Sequence, residues 1–250
     1  MLSGALQGQL KPVQQKFIRL GLESLSDQEC IELLLGLCLS HRQCRQKAEE
    51  CIERFGNLRR FVSASSEELQ QVGISLPCVF CIKLLRELPV AVLKQNIIEK
   101  SIYKSSKEVF DYLYYSMRDL KKEVFKVIYL NRRSQIIDTV DLFEGTLEDI
   151  PIRPREIVES AIKYNAAAQI FVHNHPSGDP SPSKSDKQLT RDLVFVGYIL
   201  QIKVLDHIII GEDRYFSFAD QGLIEKYEDN FQNLRIRGVF DIGPYFSKVR

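Results

Sequence analysis

The apolar periodicity of this chain changes once along its length, and that change constrains the fold more than any other feature. From about Phe17 to Leu88 apolar residues recur at every third or fourth position, as at Ile31, Leu34, Leu35 and Leu37 behind the opening Ser26-Asp27-Gln28-Glu29. A hydroxyl residue with an acid three positions on is the start signal of an amphipathic helix. Breaks fall at Gly56-Asn57, at Ser63 to Ser66 and at Gly73 to Pro77, where caps and left-handed backbone cost little. Farther on the period drops to two. Val124 to Leu130 and Gln135 to Asp141 are β-rich runs around the polar turn Asn131 to Ser134, a hairpin pattern. A chain that reads as helical first and mixed afterwards is α+β: a small N-terminal all-helical domain, then an α/β domain with a mixed sheet.

The second region alternates further. Val109 to Leu120 supports a helix, and Pro154 suits the first turn of another that runs to about Asn165 with Ile157, Val158, Ala161 and Ile162 inward. Ala168 to Val172 is a short buried strand that delivers the chain to His173. A helix from Ser183 to about Tyr198 follows, then strands at Val204 to Ile210 and Tyr215 to Phe218. The expected organisation is a helical domain over 1–90, a linker over 91–105, the mixed domain over 106–224 and a tail over 225–250. The tail's aromatics Tyr227, Phe231, Phe240, Tyr245 and Phe246 suit either packing on the domain or contact with a partner.

With 44% hydrophobic and 27% charged residues the composition is that of a globular chain, which excludes disorder, collagen and coiled coil. Basic and acidic side chains number 34 and 33, so no bulk cationic field draws in nucleic acid. The first residues carry no signal-peptide pattern, and no apolar run nears the roughly 18 residues that span a bilayer. The expectation is a cytoplasmic protein without a membrane partner. All six cysteines (Cys30, Cys38, Cys44, Cys51, Cys78, Cys81) lie in the first third, too concentrated for a disulfide framework. They are expected as free, mostly buried thiols. A metal or redox role for the pair Cys78-x-x-Cys81 is the alternative, although a structural zinc needs two more ligands.

Chemistry concentrates in His173-Asn-His175-Pro-Ser-Gly-Asp-Pro-Ser-Pro-Ser183-Lys-Ser-Asp186. Two histidines two apart on an extended strand end project to one side. The Pro- and Gly-rich turn can then bring the next helix, with Asp186 in its first turn, back over the strand end. Two nitrogens and one carboxylate leave a position open, the pattern of a catalytic zinc site. Ser183 with Asp186 three on is also a capping box, and both roles are compatible. His207 and Asp206, in the last long strand, read as structural or supporting residues.

This text resembles a known signature. His173-x-His175, seven residues, then Ser183-x-x-Asp186 is similar to the JAMM metal site of MPN domains. The longer stretch from Asn165-Ala-Ala-Ala through Asp206-His-Ile-Ile-Ile-Gly to Ser217-Phe-Ala-Asp-Gln-Gly-Leu resembles the RadC family, as do Leu20-Gly-Leu-Glu-Ser-Leu-Ser-Asp and the Leu69 to Leu88 segment. The resemblance implies an MPN (JAMM, cytidine-deaminase-like) fold for the second domain and a helix-hairpin-helix-like first domain. It implies Zn2+ as cofactor, held by His173, His175 and Asp186. By the family pattern Glu123 is the general acid/base; the residues alone do not separate it from Glu144, Glu148 or Glu156. Ser183 would donate to the developing oxyanion. The implied activity is a zinc-dependent hydrolase of JAMM type acting on a peptide or isopeptide (amide) bond, with a peptide or protein as substrate.

Two departures bear on partners. The family's Val-His-Pro-Arg-Glu reads Ile152-Arg153-Pro154-Arg155-Glu156 here, which removes a histidine but no JAMM ligand. The hairpin Gly73-Ile-Ser-Leu-Pro77 lacks a second glycine and is followed by Cys78 where a basic residue is common, which weakens phosphate binding there. The alternative function is a DNA-associated repair or recombination accessory protein that uses the metal domain as an adaptor. Its weak DNA contact would fall to the helical domain, through Arg42, Arg45, Lys47, Arg54, Arg59 and Arg60.

Overall fold

The computed structural model describes residues 11–39, 41–102, 106–145 and 153–239. The chain divides into two compact units after Pro89. The first unit is helical: α1 (Pro12–Leu20), a 3-10 turn (Leu22–Ser24), α2 (Asp27–Leu35), α3 (His41–Phe55), α4 (Leu58–Ser63), α5 (Ser66–Gln71) and the first part of α6 (Leu76–Ile97). Side chains start these helices where the sequence signals them. Ser26 Oγ accepts from Glu29 N at 3.2 Å while Glu29 accepts from Ser26 N at 2.8 Å, and Ser65 with Glu68 repeats the box at the start of α5. The core gathers Ile31, Leu35, Phe61, Leu69, Ile74 and Ile82. All six cysteines are free thiols, and burial with hydrogen bonding to Cys81 and Cys78 pushes the Cys38 thiol up to about 12. A thiol held protonated in this way is a small hydrophobe rather than a nucleophile.

The second unit is built on a five-stranded mixed sheet of β1 (Val124–Leu130), β2 (Ile136–Glu144), β3 (Ala168–Asn174), β4 (Lys203–Ile210) and β5 (Tyr215–Ser217), in the order β2-β1-β3-β4-β5. β3 and β4 pair in parallel and every other pairing is antiparallel. Its helices are α7 (Ser106–Met117), α8 (Pro154–Lys163), α9 (Lys184–Leu200) and α10 (Leu223–Ile236). Strand alternation feeds two cores. Phe125, Val127, Tyr129 and Phe171 pack under Ile157, Leu193, Val194 and Tyr227, which come from α8, α9 and α10. Ile128, Leu130, Ile170 and Val172 pack on the other face against Ile97 and Val109, Leu113 and Met117 of α7. The α+β reading therefore holds, with helices on both sheet faces.

Two helices run past the bounds expected for this unit. Residues 91–97, expected in a linker, continue α6 through Pro89. A proline inside a helix costs about 3 kcal/mol, but Ile97 is fully buried and Val90 and Leu93 pack against the same cluster. Each fully buried aliphatic side chain contributes about 1.5–3 kcal/mol, enough to offset that cost. Residues 225–236, expected in a tail, belong to α10, whose Ile224, Tyr227 and Phe231 are buried on the domain. Phe240, Tyr245 and Phe246 lie outside the described residues, as do Glu148, Ile152 and the linker positions 103–105.

Candidate metal centre

The end of β3 places His173 on the same sheet face as Phe171 and beside Phe125. His173 is 1% exposed, and its ring lies 6.3 Å from the Phe125 ring. The chain stays extended for two more residues, because His175 N donates to Ile210 O at 2.9 Å and prolongs the pairing with β4. His175 therefore faces the same way as His173, and their Nε2 atoms lie 3.0 Å apart. The proline-rich turn then sets Ser183 as the N-cap of α9. Ser183 Oγ accepts from Asp186 N at 3.1 Å and Ser183 N donates to Asp186 Oδ2 at 2.7 Å. The capping box thus aims the Asp186 carboxylate inward. Oδ1 lies 3.3 Å from His173 Nε2, and Oδ2 lies 3.6 Å from His175 Nε2.

The donor set fits a cation. Asp186 Oδ1 is buried with no hydrogen-bond partner, an arrangement that native interiors avoid. His175 Nδ1 lies 2.7 Å from the carbonyl oxygen of Asp179, which can only accept, so Nδ1 carries the hydrogen and Nε2 offers its lone pair. Among the described residues His173, His175 and Asp186 form the group that could hold a metal, with one ligand atom each and all within 4.8 Å of one another.

Electrostatics hold His173 and Asp186 in their ligating forms and act on His175 in the opposite sense. Burial pulls the His173 pKa down to about 4, against the opposing pull of Asp186, so the ring is neutral near pH 7. For Asp186, burial opposes ionisation, but His175, His173 and Ser183 outweigh it and hold the carboxyl well below the usual range. Burial also lowers His175, yet hydrogen bonds to Asp186 and the Asp179 carbonyl, with the charges of Asp186 and Glu123, raise it overall. Glu123 is thus electrically close to His175. β1 pairs with β3 as far as Phe125 opposite His173, and Glu123 stands two residues before Phe125 in the chain. Glu144 instead pairs with Lys122 at 3.1 Å, and Glu156 stands in the first turn of α8.

Reading the sequence missed one residue and undervalued another. His207 is fully buried, with Nε2 2.8 Å from His173 Nδ1 and Nδ1 2.6 Å from Thr190 Oγ1. The signal for Thr190 was its spacing: it stands one helical turn past Asp186, on the same face of α9. Asp206 accepts from Ser217 Oγ, Ala219 N and His207 N, and so ties β4 to the end of β5 and the segment that follows it rather than to the centre. In the first unit, Lys47 pairs with Glu50 and Arg45 with Glu49 at 3.6 Å, so part of the expected basic face is neutralised locally.

Comparison with known proteins agrees with this geometry. Residues 103–223 match the family model described as the RadC-like JAB domain. A UPF0758 protein of Trichlorobacter lovleyi is 39% identical over 215 residues, which cover 84% of this chain and 94% of that one. A UPF0758 protein of Geotalea uraniireducens is 35% identical over 214 residues, with the same two coverages. One of Pseudoalteromonas translucida is 36% identical over 212 residues, 84% of this chain and 95% of the relative. Relatives this similar span both units, and a domain model rests on the strands that carry the centre, so the chain belongs to the RadC family.

Proposed function

We propose that the second unit is a zinc-dependent hydrolase of JAMM type that cleaves a peptide or isopeptide bond in a peptide or protein substrate. The observation that carries this reading is the buried Asp186 Oδ1, without a hydrogen-bond partner, facing the Nε2 atoms of two histidines. Zinc held by His173, His175 and Asp186 would supply a Lewis acid able to lower the pKa of water to about 7. Glu123, whose charge acts on His175, takes the proton from the attacking water and returns it to the leaving amine. Ser183 Oγ accepts from Asp186 N, which leaves its hydroxyl proton for the carbonyl oxygen of the substrate as negative charge develops there. His173, neutral and buried, excludes water from the inner side of the centre.

Metal analysis of the purified full chain tests this reading. About one zinc per chain is expected, and His173→Ala/His175→Ala should lose it. Wild-type protein that takes up no zinc when zinc is added would overturn the proposal.

A further inference from the structure

Behind the three candidate ligands runs a buried chain of hydrogen bonds that begins on the backbone of Asp186 and ends on the ring of His173. Thr190 Oγ1 lies 2.5 Å from the Asp186 carbonyl oxygen and 2.6 Å from His207 Nδ1. His207 Nε2 in turn lies 2.8 Å from His173 Nδ1. Thr190 and His207 are fully buried and His173 nearly so. Nothing in the metal reading requires His207 or Thr190, yet both are aimed at the centre with hydrogen-bonding geometry.

The direction of each bond follows from what each atom can do. A carbonyl oxygen has no proton to give, so the single hydroxyl proton of Thr190 goes to Asp186 O. Thr190 Oγ1 can then only accept from His207, which places a hydrogen on His207 Nδ1. The His207 ring is stacked on Phe218 at 5.0 Å and flanked by Phe125 and Phe171 at 5.7 and 6.0 Å. Both its nitrogens meet uncharged partners, and an imidazolium in that enclosure would cost several kcal/mol, so the ring is neutral and its Nε2 accepts. His173 must therefore donate from Nδ1, which leaves the lone pair on Nε2, the atom that faces Asp186 and His175.

We propose that His207 and Thr190 are positioning residues that hold His173 in its Nδ1-protonated form with Nε2 presented to the metal. The assignment rests on the zinc reading above and adds to it a reason for the buried histidine of β4. His207 itself is not a ligand, because one of its nitrogens is turned to Thr190 and the other to the outer nitrogen of His173. Asp186 supplies the carboxylate at one end and the fixed carbonyl at the other, so the ligand and its alignment come from one residue of α9. Outer partners of metal-bound histidines typically contribute about 10–100-fold to metal affinity.

Two measurements on the full chain test this. The first is zinc affinity by competition with a chromophoric chelator, for wild type, Thr190→Val, His207→Phe and His207→Gln, each checked for native circular dichroism. Thr190→Val keeps the shape and removes only the hydroxyl, so it remains informative if His207→Phe fails to fold. Thr190→Val and His207→Phe should bind zinc about 10–100-fold more weakly, and His207→Gln, whose amide oxygen can accept from His173, should recover part of the loss. The second is the tautomer of His173 in zinc-free protein, from long-range 1H–15N correlation spectra of the imidazole rings. Nδ1–H is expected in wild type and a mixture in Thr190→Val. Unchanged affinity in both Thr190→Val and His207→Phe, or Nε2–H at His173 in wild type, would overturn the assignment. Complete loss of zinc in His207→Gln with no change in Thr190→Val would make His207 a ligand and also overturn it. Failure of wild type to bind zinc would instead remove the metal reading, while the spectra would still decide the tautomer.

Discussion

The Asn174 side chain accepts from Val124 N through Oδ1 at 2.8 Å and donates from Nδ2 to Lys122 O at 3.0 Å, so it grips the backbone on both sides of Glu123. A third bond, to Leu120 O at 3.3 Å, secures the approach to β1. Asn174 sits between the two candidate histidine ligands but points to the opposite sheet face, as alternation along β3 requires. One strand end thus holds both the candidate metal ligands and the segment that carries the proposed acid/base.

Asn174→Ala should accordingly separate these two tasks. It removes the bonds to Val124 N and the Lys122 carbonyl, each of the kind that contributes about 0.5–1.5 kcal/mol net. Zinc stoichiometry should survive, since no ligand changes, while hydrolysis falls and the chain unfolds at lower denaturant. Unaltered turnover in a folded Asn174→Ala protein would show that Glu123 needs no such anchor.

Glu123→Gln removes the proton acceptor while preserving size and hydrogen bonding. The variant should retain about one zinc per chain and lose about 10²–10⁴-fold in hydrolytic rate, the usual contribution of a general acid/base. Loss of zinc in this variant would make Glu123 a ligand instead.

Acid should destabilise the metal-free protein through its buried rings. Burial lowers His173 from 6.5 to about 4 in the folded chain and lowers His207 in the same direction. Between pH 6.5 and 4 the unfolded chain binds protons at these rings that the folded chain refuses, so stability falls as pH drops through that window. For His173 alone the loss is about 3 kcal/mol. His175 acts in the opposite sense: its raised folded value gives stability that is full at low pH and lost as pH rises through it, so it offsets part of the fall. Urea unfolding in excess chelator should show a lower midpoint at pH 4.5 than at pH 7, with a smaller difference in His173→Leu. Equal midpoints would refute the assignment of a neutral buried pair.

What was legible in the sequence follows from locality. His173, His175 and Asp186 could be grouped because strand alternation, a stiff proline-rich turn and a capping box each act over a few residues. Glu123 stands fifty positions from His173, and only the antiparallel pairing of β1 with β3 brings it near; nothing beside it in the sequence marks that pairing. His207 reaches His173 through the parallel pairing of β3 with β4, in which it stands opposite Phe171. Its position inside an apolar strand disguised it as core. The helix α10 was readable from Ile224, Tyr227 and Phe231 at helical spacing behind Gly222, but surrounding charge hid its one apolar stripe.

The turn between the two histidine and aspartate segments depends on a close approach that only glycine allows. A Cβ built on Gly211 would meet the Gly178 carbonyl oxygen and lie 2.8 Å from Pro180 Cδ, both in the turn that joins His175 to Asp186. Gly211→Ala should push that turn outward, weaken the Asp179 carbonyl contact that orients His175, and reduce zinc affinity as well as stability. Gly197 offers the control, because its Cβ would lie 2.5 Å from Ile202 O, at the far end of α9 from Asp186. Overpacking there costs about 1–3 kcal/mol, so Gly197→Ala should lower the unfolding midpoint while the folded protein binds zinc as wild type does. Chelator competition and urea unfolding on the two variants distinguish the cases. Equal zinc affinity in Gly211→Ala and Gly197→Ala would show that the turn is not what holds His175 in place.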